Sequence, residues 1–373
     1  MSIALSHSQS SILNSQSLST PAFLVHRPTV QRNCDRMRDK ALLSGVAFRP
    51  HVKTHKVVEI GRMQHGGAVG PITVSTLAEA EWFADGGFRD ITYGVPIAPE
   101  KLARAAALAQ RIDRLNLLID SEAAFRAIEE FGYVFDVFLK IDCGYHRAGV
   151  DPENPDSVRL ALRMSRSEGM HFQGLLTHAG HSYDAQSTEE VERIAAQETS
   201  ALTRFRALLD GLEVTRSIGS TPTCSIVESF TDCDEVRPGN YVFYDAFQAT
   251  VGSCTLNDVA VSVLTTVVGS YPERNALICD AGALALSKDL SPAHLDPQAG
   301  YGLVCDTDLR PLPMKLIALS QEHGKISTEL AVPVGTRLRI IPNHSCLTSA
   351  MYDTYHVVDG GEVVDQWKPA RGW

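Results

Sequence analysis

The feature that most constrains the fold of this sequence is a repeated alternation of short apolar runs with longer amphipathic segments. Eight runs with the length and composition of strands lie between residue 21 and about residue 222, and helical patterns separate them. The strand-like runs are residues 22–26, 47–52, 70–75, 90–95, 116–120, 136–142, 172–177 and 214–219. Eight strands that alternate with helices predict an α/β protein with a (β/α)8 TIM barrel.

The pattern changes after about residue 250. Runs rich in β-branched residues, such as 259–271 and 336–341, are bounded by Gly, Pro, Asn and Asp, and long helical periods disappear. This part predicts a mostly β domain. We therefore expect a barrel over 21–250 and a C-terminal β domain over 251–373. Residues 1–20 form a Ser-rich N-terminal segment that is either disordered or packed on the β domain.

Charge and composition exclude several classes of function. The chain of 373 residues has 34 Lys and Arg against 44 Asp and Glu, a formal charge of −10. Without a basic field, neither nucleic acid nor a membrane surface is an expected partner. No apolar run is long enough for a membrane helix, and the first 20 residues do not have the pattern of a secretory signal. Eight scattered cysteines without a C-x-x-C pair predict a reducing, cytoplasmic location.

The densest polar cluster follows the second predicted strand, in the segment RPHVKTHK at residues 49–56. Side chains at the carboxyl ends of barrel strands face the active site, so Lys53 is placed to form a Schiff base. The alternative interpretation is a solvated basic turn.

Four other strand ends carry residues suited to a flat, phosphorylated ligand. Residues 138–149 end in a Gly turn with Arg147, which could meet a phenolate oxygen, and residues 175–183 contain His178, His181 and Tyr183. A tyrosine can stack on a flat ring. The small residues and hydroxyls of 217–223 can cradle a phosphate through backbone N–H groups, and residues 237–241 form a second glycine turn. Gly-rich strand ends are common, so each segment alone is weak evidence.

A His-x-Cys pair lies near the C-terminus, in residues 341–346. His344 and Cys346 have the soft donors that Zn²⁺ prefers, and on an extended chain residues i and i+2 point to the same side. Two protein ligands leave other metal positions open. The alternative is a buried cysteine beside a turn histidine.

Taken together, these segments resemble the alanine-racemase-like, fold type III family of pyridoxal-phosphate enzymes, and within it the zinc-dependent D-serine dehydratases. The resemblance runs from about Thr20 to the last residues. It is carried by the motifs RPHVKTHK, KIDCGYHRAG, LTHAGHSY, GSTPT, RPGNYVFYD and PNHSCLT. The resemblance implies a cofactor-binding barrel, a C-terminal β domain that completes the site, and a homodimer.

The resemblance also implies roles for particular residues. Lys53 matches the catalytic Schiff-base lysine, Arg147 the arginine near the pyridoxal 3-oxygen, and Tyr183 the tyrosine beside the cofactor, with His178 close to it. Tyr183 and His178 could equally be packed barrel residues, and Asp142 either orients Arg147 or caps its turn. The residues that match the phosphate-binding turns are Gly219, Ser220, Thr221, Gly239 and Asn240. His344 and Cys346 match the zinc ligands.

The activity implied is a lyase reaction that depends on pyridoxal phosphate and zinc. It removes water from a D-3-hydroxy amino acid, with D-serine as the first substrate and pyruvate and ammonia as products. An aspartate stands at the position of Cys346 in the related D-threonine aldolases, so the thiol favours a dehydratase. The alternatives are a D-threo-3-hydroxyaspartate dehydratase, a D-threonine or 3-hydroxy-D-aspartate aldolase, and, from another class, a non-catalytic pyridoxal-phosphate carrier.

Overall fold

The computed structural model describes residues 18–373, so nearly all of the N-terminal segment considered above lies outside the described residues. The chain divides into two compact units. One consists of Cys34–Tyr241 with Ala370–Trp373, and the other of residues 18–33 with Val242–Pro369.

The strands are numbered in chain order. They are β1 (Ala22–His26), β2 (Ala47–Phe48), β3 (Ile72–Val74), β4 (Asp90–Pro96), β5 (Arg114–Ile119), β6 (Phe135–Lys140), β7 (Met170–Leu176), β8 (Thr215–Ile218), β9 (Glu235–Val236), β10 (Val261–Tyr271), β11 (Ala276–Cys279), β12 (Gly302–Cys305), β13 (Pro311–Leu319), β14 (Gly324–Ser327), β15 (Arg337–Pro342), β16 (Tyr355–Asp359) and β17 (Glu362–Trp367).

The α-helices are numbered in the same way. They are α1 (Arg27–Leu43), α2 (Val58–Gln64), α3 (Leu77–Asp85), α4 (Leu102–Ala109), α5 (Glu122–Phe131), α6 (Pro155–Arg166), α7 (Thr188–Ala207), α8 (Thr221–Ile226), α9 (Ala246–Thr250), α10 (Ala283–Leu286) and α11 (Ser345–Ser349). Across residues 18–373, every helix is too short or too polar to cross a membrane.

The first of the two units is a parallel barrel. Its strands lie in the order β2-β9-β8-β7-β6-β5-β4-β3, with parallel pairing throughout. His51, just after β2, forms a parallel bridge with Thr73 in β3, and the N–H of Thr73 donates to the carbonyl of Pro50 at 2.9 Å. The first and last strands of the sheet therefore meet, and the predicted (β/α)8 barrel is confirmed.

Local sequence explains where the barrel helices begin. The hydroxyl of Thr76 accepts the N–H of Glu79 at the start of α3, and Ser187 and Ser220 cap α7 and α8 in the same way. Such caps satisfy backbone donors that have no partner inside the helix. Because α8 begins immediately after β8, its first turn lies at the carboxyl end of the barrel strands.

One predicted barrel strand belongs to the other unit. We expected residues 22–26 to open the barrel, but β1 pairs antiparallel with β10 and parallel with β16. The eighth barrel strand is instead β9, which has only two residues. A short, fully buried strand has the same apolar pattern in either kind of sheet, and a strand as short as β9 has no periodicity to detect.

The second unit is built on antiparallel strands, as predicted for a mostly β domain. Its sheet has the order β11-β14-β13-β12-β15-β10-β1-β16-β17, and β10 also pairs with β11. The six strands from β11 to β10 therefore close into a barrel, and β1, β16 and β17 extend the sheet beyond it. Leu24 in β1, Leu264 in β10 and Val358 in β16 are buried together in one hydrophobic cluster.

Candidate active site

Lys53 lies in a tight turn at the carboxyl end of β2. The turn is the 3-10 helix Val52–Thr54, and the ring Nδ1 of His51 accepts the N–H of Lys53 at 3.4 Å. The N–H of His51 donates to the carbonyl of Pro238 at 2.9 Å, and its Nε2 lies 3.4 Å from the hydroxyl of Ser75. The turn is therefore anchored to the ends of β9 and β3, the two neighbours of β2.

His178 and Arg147 lie in the same electrostatic environment as Lys53. His178 follows β7, and its Nδ1 lies 2.7 Å from the carbonyl oxygen of Gly219, so Nδ1 carries the proton and donates it. Burial, and then the positive charges of Lys53 and Arg147, hold the pKa of His178 well below its ordinary value. The guanidinium of Arg147 lies 5.0 Å from the ring centre of Tyr145. The structure thus brings together three residues that were predicted from separate motifs.

Two buried cations that our sequence reasoning missed lie near these residues. Lys140 is 4% exposed, and burial, together with the charges of Arg237 and Arg147, lowers its pKa to about 8. Arg237 is also buried, donates to the hydroxyl of Ser217 at 2.7 Å and contacts the carbonyl of Thr177. A site with this many positive groups suits a ligand that carries phosphate and carboxylate charges.

The two turns predicted to bind phosphate follow neighbouring strands, β8 and β9. Gly219 has a φ of +152°, and a Cβ atom there would lie 2.9 Å from the backbone of Arg237, so only glycine fits. A Cβ atom at Gly239 would lie 3.1 Å from the carbonyl oxygen of His51. Because neither position has room for a side chain, glycine allows both turns to pack closely against neighbouring backbone.

Hydroxyl groups hold the first of these turns in place. Ser220 Oγ accepts the N–H of Thr223 at 3.3 Å and lies 2.9 Å from the hydroxyl of Ser182. Thr221 Oγ1 accepts the N–H of Tyr241 at 3.2 Å, which links the turn to the segment that follows the buried Asn240. The residues expected to bind phosphate therefore form one connected structure.

The remaining barrel candidates lie in the loops after β6 and β7. Tyr183 ends the 3-10 helix Gly180–Tyr183 and is partly buried. Of the two roles considered for Asp142, the contacts show the turn cap: its carboxylate accepts the N–H groups of Gly144 and His146 at 2.9 and 3.0 Å and contacts the ring of His146 at 2.7 Å.

Glu198 connects two of the loops and was also missed. Its Oε1 accepts the hydroxyl of Thr177 at 2.9 Å, the N–H of Ala179 at 3.1 Å and the N–H of Gly219 at 3.2 Å. Burial raises the pKa of this carboxyl group. A signal was present in the sequence, because Glu198 stands at helical spacing between the apolar Ile194 and Leu202 in α7.

The proposed metal ligands belong to the antiparallel unit. We expected His344 and Cys346 to share one side of an extended segment, but this was wrong, because Cys346 lies in helix α11. Asp245 accepts both the N–H and the hydroxyl of Ser345, at 2.9 and 3.2 Å, and so holds the start of this helix. The imidazole of His344 is nevertheless hydrogen-bonded to the Cys346 thiol.

The donor set of this pair fits a zinc ion. Nδ1 of His344 lies 2.9 Å from Oδ2 of Asp289, so Nε2 is the nitrogen that can bind a metal. The hydrogen bonds to Asp289 and Cys346 outweigh burial and raise the pKa of His344 well above its ordinary value, so metal binding there would displace a proton. Between residues 18 and 373, no three or more His, Cys, Asp or Glu side chains form a group that could hold a metal. The site thus offers two protein ligands.

Comparisons with known proteins agree with this architecture. Residues 25–246 match the model of the alanine racemase N-terminal domain, and residues 260–358 match that of a putative serine dehydratase domain. The D-serine dehydratase of Dictyostelium discoideum is 40% identical over 95% of this chain and 98% of its own length.

Solved structures lead to the same group. The D-threo-3-hydroxyaspartate dehydratase from Delftia sp. HT23 is 37% identical and superposes with a TM-score of 0.92 over 98% of this chain and all of that one. D-Threonine aldolase from Filomicrobium marinum is 27% identical, with a TM-score of 0.82 over 95% of each chain. An alanine racemase of Clostridium difficile 630, 12% identical with a TM-score of 0.68 over 94% of this chain and 99% of that one, shares the fold.

A parallel barrel with a lysine at a strand end, followed by an antiparallel β unit, defines the fold type III class of pyridoxal-phosphate enzymes. The chain belongs to the alanine-racemase-like family of this class, in the branch that contains the D-serine dehydratases. The predicted family and the predicted enzyme class, a lyase, are confirmed.

Proposed function

We propose that this chain removes water from a D-3-hydroxy amino acid, with D-serine as the preferred substrate and pyruvate and ammonia as the products. The observation that carries the proposal is the cluster of positive charges at the strand ends around Lys53, which includes Arg147 and Lys140. Relatives named D-serine dehydratase, which align over nearly the whole chain, support the same reaction.

The barrel residues fit pyridoxal phosphate. Lys53 would hold it covalently, Arg147, His178 and Tyr183 would contact its ring, and the residues of the two glycine turns would bind its phosphate. When bound, this cofactor withdraws electrons from the substrate Cα, which makes the Cα proton acidic. Released from the cofactor when the substrate amine takes its place, the amine of Lys53 would accept that proton, as a general base at the substrate Cα.

The neutral state of His178 has a function in this proposal. Its Nδ1–H donates to the carbonyl of Gly219, so the ring is fixed in orientation and its Nε2 is an acceptor. A neutral ring does not add a further positive charge beside Lys53. His178 therefore positions the phosphate turn and leaves proton transfer to Lys53.

We further propose that His344 and Cys346 hold a zinc ion. The support is their hydrogen-bonded contact and their nitrogen and sulfur donors. A zinc ion acts as a Lewis acid that stabilises negative charge on a departing hydroxyl oxygen.

A second candidate substrate is D-threo-3-hydroxyaspartate. It carries one more carboxylate than D-serine, and binding it would require a cation in addition to those assigned to the cofactor. The Delftia relative is named for this substrate. The ratio of kcat/KM for the two substrates decides between them.

We also propose a homodimer in a reducing, cytoplasmic compartment. The resemblance to the family supports the dimer, and all eight cysteines are free thiols, which supports the compartment. Sedimentation equilibrium should give about twice the chain mass of 40.6 kDa. A fully active monomer would contradict the dimer.

The test of the function is product analysis with D-serine, L-serine, D-threonine and D-threo-3-hydroxyaspartate. We expect pyruvate from D-serine and none from L-serine. The turnover rate of Lys53→Ala should fall by at least about 100-fold, because general base catalysis supplies that much. Lys325→Ala, at an exposed position, is the control and should keep the wild-type rate.

Other products would point to the alternatives. Glycine plus an aldehyde would show an aldolase, and a preference for D-threo-3-hydroxyaspartate with oxaloacetate as product would show the second dehydratase. No turnover of any substrate by protein that contains the cofactor would show a carrier. Borohydride reduction followed by peptide mapping should place the pyridoxyl group on Lys53, and a label on Lys56 or Lys140 would overturn the assignment.

A further inference from the structure

We propose that Asp289 is a positioning residue for the metal site, which fixes the orientation and tautomer of His344. This inference rests on the zinc site proposed above. Its basis is the contact of 2.9 Å between Oδ2 of Asp289 and Nδ1 of His344, in a carboxylate that no motif of the sequence analysis included. The two residues are 55 positions apart in the chain.

Asp289 is itself held by its neighbours. Its Oδ1 accepts the N–H of Ser291 at 2.6 Å and contacts the hydroxyl of the same residue. Its own N–H donates to the hydroxyl of Ser287 at 3.2 Å. The carboxylate therefore has one oxygen committed to its own loop and the other directed to His344.

The backbone of Asp289 is connected to the same segment as its side chain. The side-chain amide of Asn343 donates to the carbonyl of Asp289 and to that of Gly300, both at 2.9 Å. Asn343 immediately precedes His344, so the Asp289 loop and the proposed ligand are joined at two consecutive residues. The distance from the carboxylate to the imidazole is thereby fixed by two independent sets of contacts.

The chemical consequence concerns the second ring nitrogen. A carboxylate at Nδ1 holds a proton there, so the neutral ring has its lone pair on Nε2, where a metal can bind. The same hydrogen bond makes the ring a more basic ligand and limits its rotation. Without Asp289, the neutral ring could instead carry its proton on Nε2, and that tautomer has no lone pair for a metal at this position.

A purely structural role makes a different prediction. If Asp289 only joined its loop to the histidine, removal of the carboxylate would lower the melting temperature and leave the intrinsic zinc affinity unchanged. The affinity of the protein for zinc alone separates the two roles without any measurement of turnover.

The experiment is competition for Zn²⁺ between the full chain and a chromophoric chelator, with Co²⁺ absorption as a second readout. We expect Asp289→Ala to bind Zn²⁺ roughly 10- to 100-fold more weakly than the wild type. Asp289→Asn should lose less zinc affinity, because its amide oxygen can still accept a hydrogen bond from Nδ1 of His344. The Co²⁺ spectrum of this variant should show whether the thiolate and the imidazole both remain ligands.

Asp306→Asn is the matched control. Asp306 lies in the same unit and caps its own loop by accepting the N–H groups of Asp308 and Arg310 at 2.9 and 2.8 Å. This variant should keep the zinc affinity of the wild type.

The outcomes separate this inference from the zinc site on which it rests. Equal zinc affinities for the wild type and both Asp289 variants would overturn the role of Asp289 and leave the site intact. If the wild type binds no zinc, or if His344→Ala and Cys346→Ala bind it as tightly as the wild type, the proposed zinc site is wrong. The proposed role of Asp289 is then wrong as well. If Asp289→Ala fails to fold, the Asp289→Asn affinity and spectrum decide.

Discussion

His55 shows how the barrel keeps a titratable side chain neutral close to the turn that contains Lys53. It is fully buried, its Nδ1 accepts the N–H of Val57 at 3.0 Å, and its Nε2 lies 3.3 Å from the amide oxygen of Gln64. Gln64 in turn donates to the hydroxyl of Tyr241 at 2.9 Å. One nitrogen accepts and the other donates, so these contacts suit the neutral ring and not the imidazolium. Burial lowers the pKa of His55 to about 3.

This environment predicts a loss of stability in acid. The folded pKa is lower than the value of 6.5 in the unfolded chain, so between these two values the unfolded state binds the extra proton. The contribution of His55 to the free energy of unfolding is complete above pH 6.5 and decreases as the pH falls towards 3. Replacement by a residue that does not titrate should remove this part of the pH dependence.

We therefore expect His55→Gln to unfold with a flatter stability profile between pH 6.5 and pH 4 than the wild type, although its stability at pH 7.5 should be lower. The measurement is urea unfolding at a series of pH values. His171→Gln, at an exposed position, is the control and should follow the wild-type slope. Parallel profiles for wild type and His55→Gln would show that His55 does not drive acid unfolding.

Residue roles could be predicted from the sequence where a motif surrounds the residue. Lys53 was placed correctly at a strand end because it follows an apolar run within a cluster of polar residues. Lys140 and Arg237 stand within the motifs that carried the resemblance, yet their burial depends on strands that are distant in sequence. Glu198 and Asp289 act through contacts with residues 19 to 55 positions away, which no local pattern contains.

At the scale of elements, helix α7 fixes the positions of the two loops that follow strands β7 and β8. Glu198 of α7 contacts Thr177 and Ala179 after β7 and Gly219 after β8. These loops contain His178 and the first of the two turns proposed to bind phosphate. The helix thus sets the spacing of two loops that the proposed cofactor must contact together.

Glu198→Ala should destabilise the barrel and weaken binding of pyridoxal phosphate. It leaves three donors without their acceptor, and each buried donor that loses its partner costs about 1–3 kcal/mol. Glu198→Gln keeps an oxygen at the same place and should lose much less stability and much less affinity for pyridoxal phosphate. Urea unfolding and titration with pyridoxal phosphate are the measurements. If Glu198→Ala bound the cofactor as tightly as Glu198→Gln, the helix would have no part in positioning these loops.

The elements themselves were predictable to different degrees. Strands β3 to β8 lie within or close to the predicted runs, because each has a clear apolar core and a turn at both ends. The prediction that β1 belongs to the barrel was wrong, because its apolar pattern does not specify which sheet it joins. The helix that contains Cys346 was also missed, because its first turn depends on a cap from Asp245, 100 residues earlier in the chain.

For the whole molecule, the important feature is that β1 lies inside the antiparallel sheet, between β10 and β16. Leu24 is fully buried there with Leu264 and Val358. The stability of this unit therefore depends on a contact between segments that are distant in the chain.

Leu24→Ala should lower the free energy of unfolding by about 2–5 kcal/mol, because it removes buried methyl groups and leaves a cavity. Leu42→Ala, at a position that is 75% exposed, is the control and should change stability by less than about 0.5 kcal/mol. Urea unfolding followed by tryptophan fluorescence measures both. A similar small effect for both variants would show that the β1 contact adds little to stability.

The position of β1 also sets an order of events on the ribosome. The barrel strands are contiguous in the chain from β2 to β9, so their sheet can form as soon as they have been made. Strand β1 is made before them, but its neighbour β16 follows roughly 330 residues later, which at about 5–20 residues per second is a delay of roughly 15–65 s. Until β10 is made, roughly 240 residues after β1, this apolar strand has neither of its native edges available, and the β16 edge is missing for the whole interval. The antiparallel unit can therefore be completed only after β16 has been made, when the barrel is already able to fold.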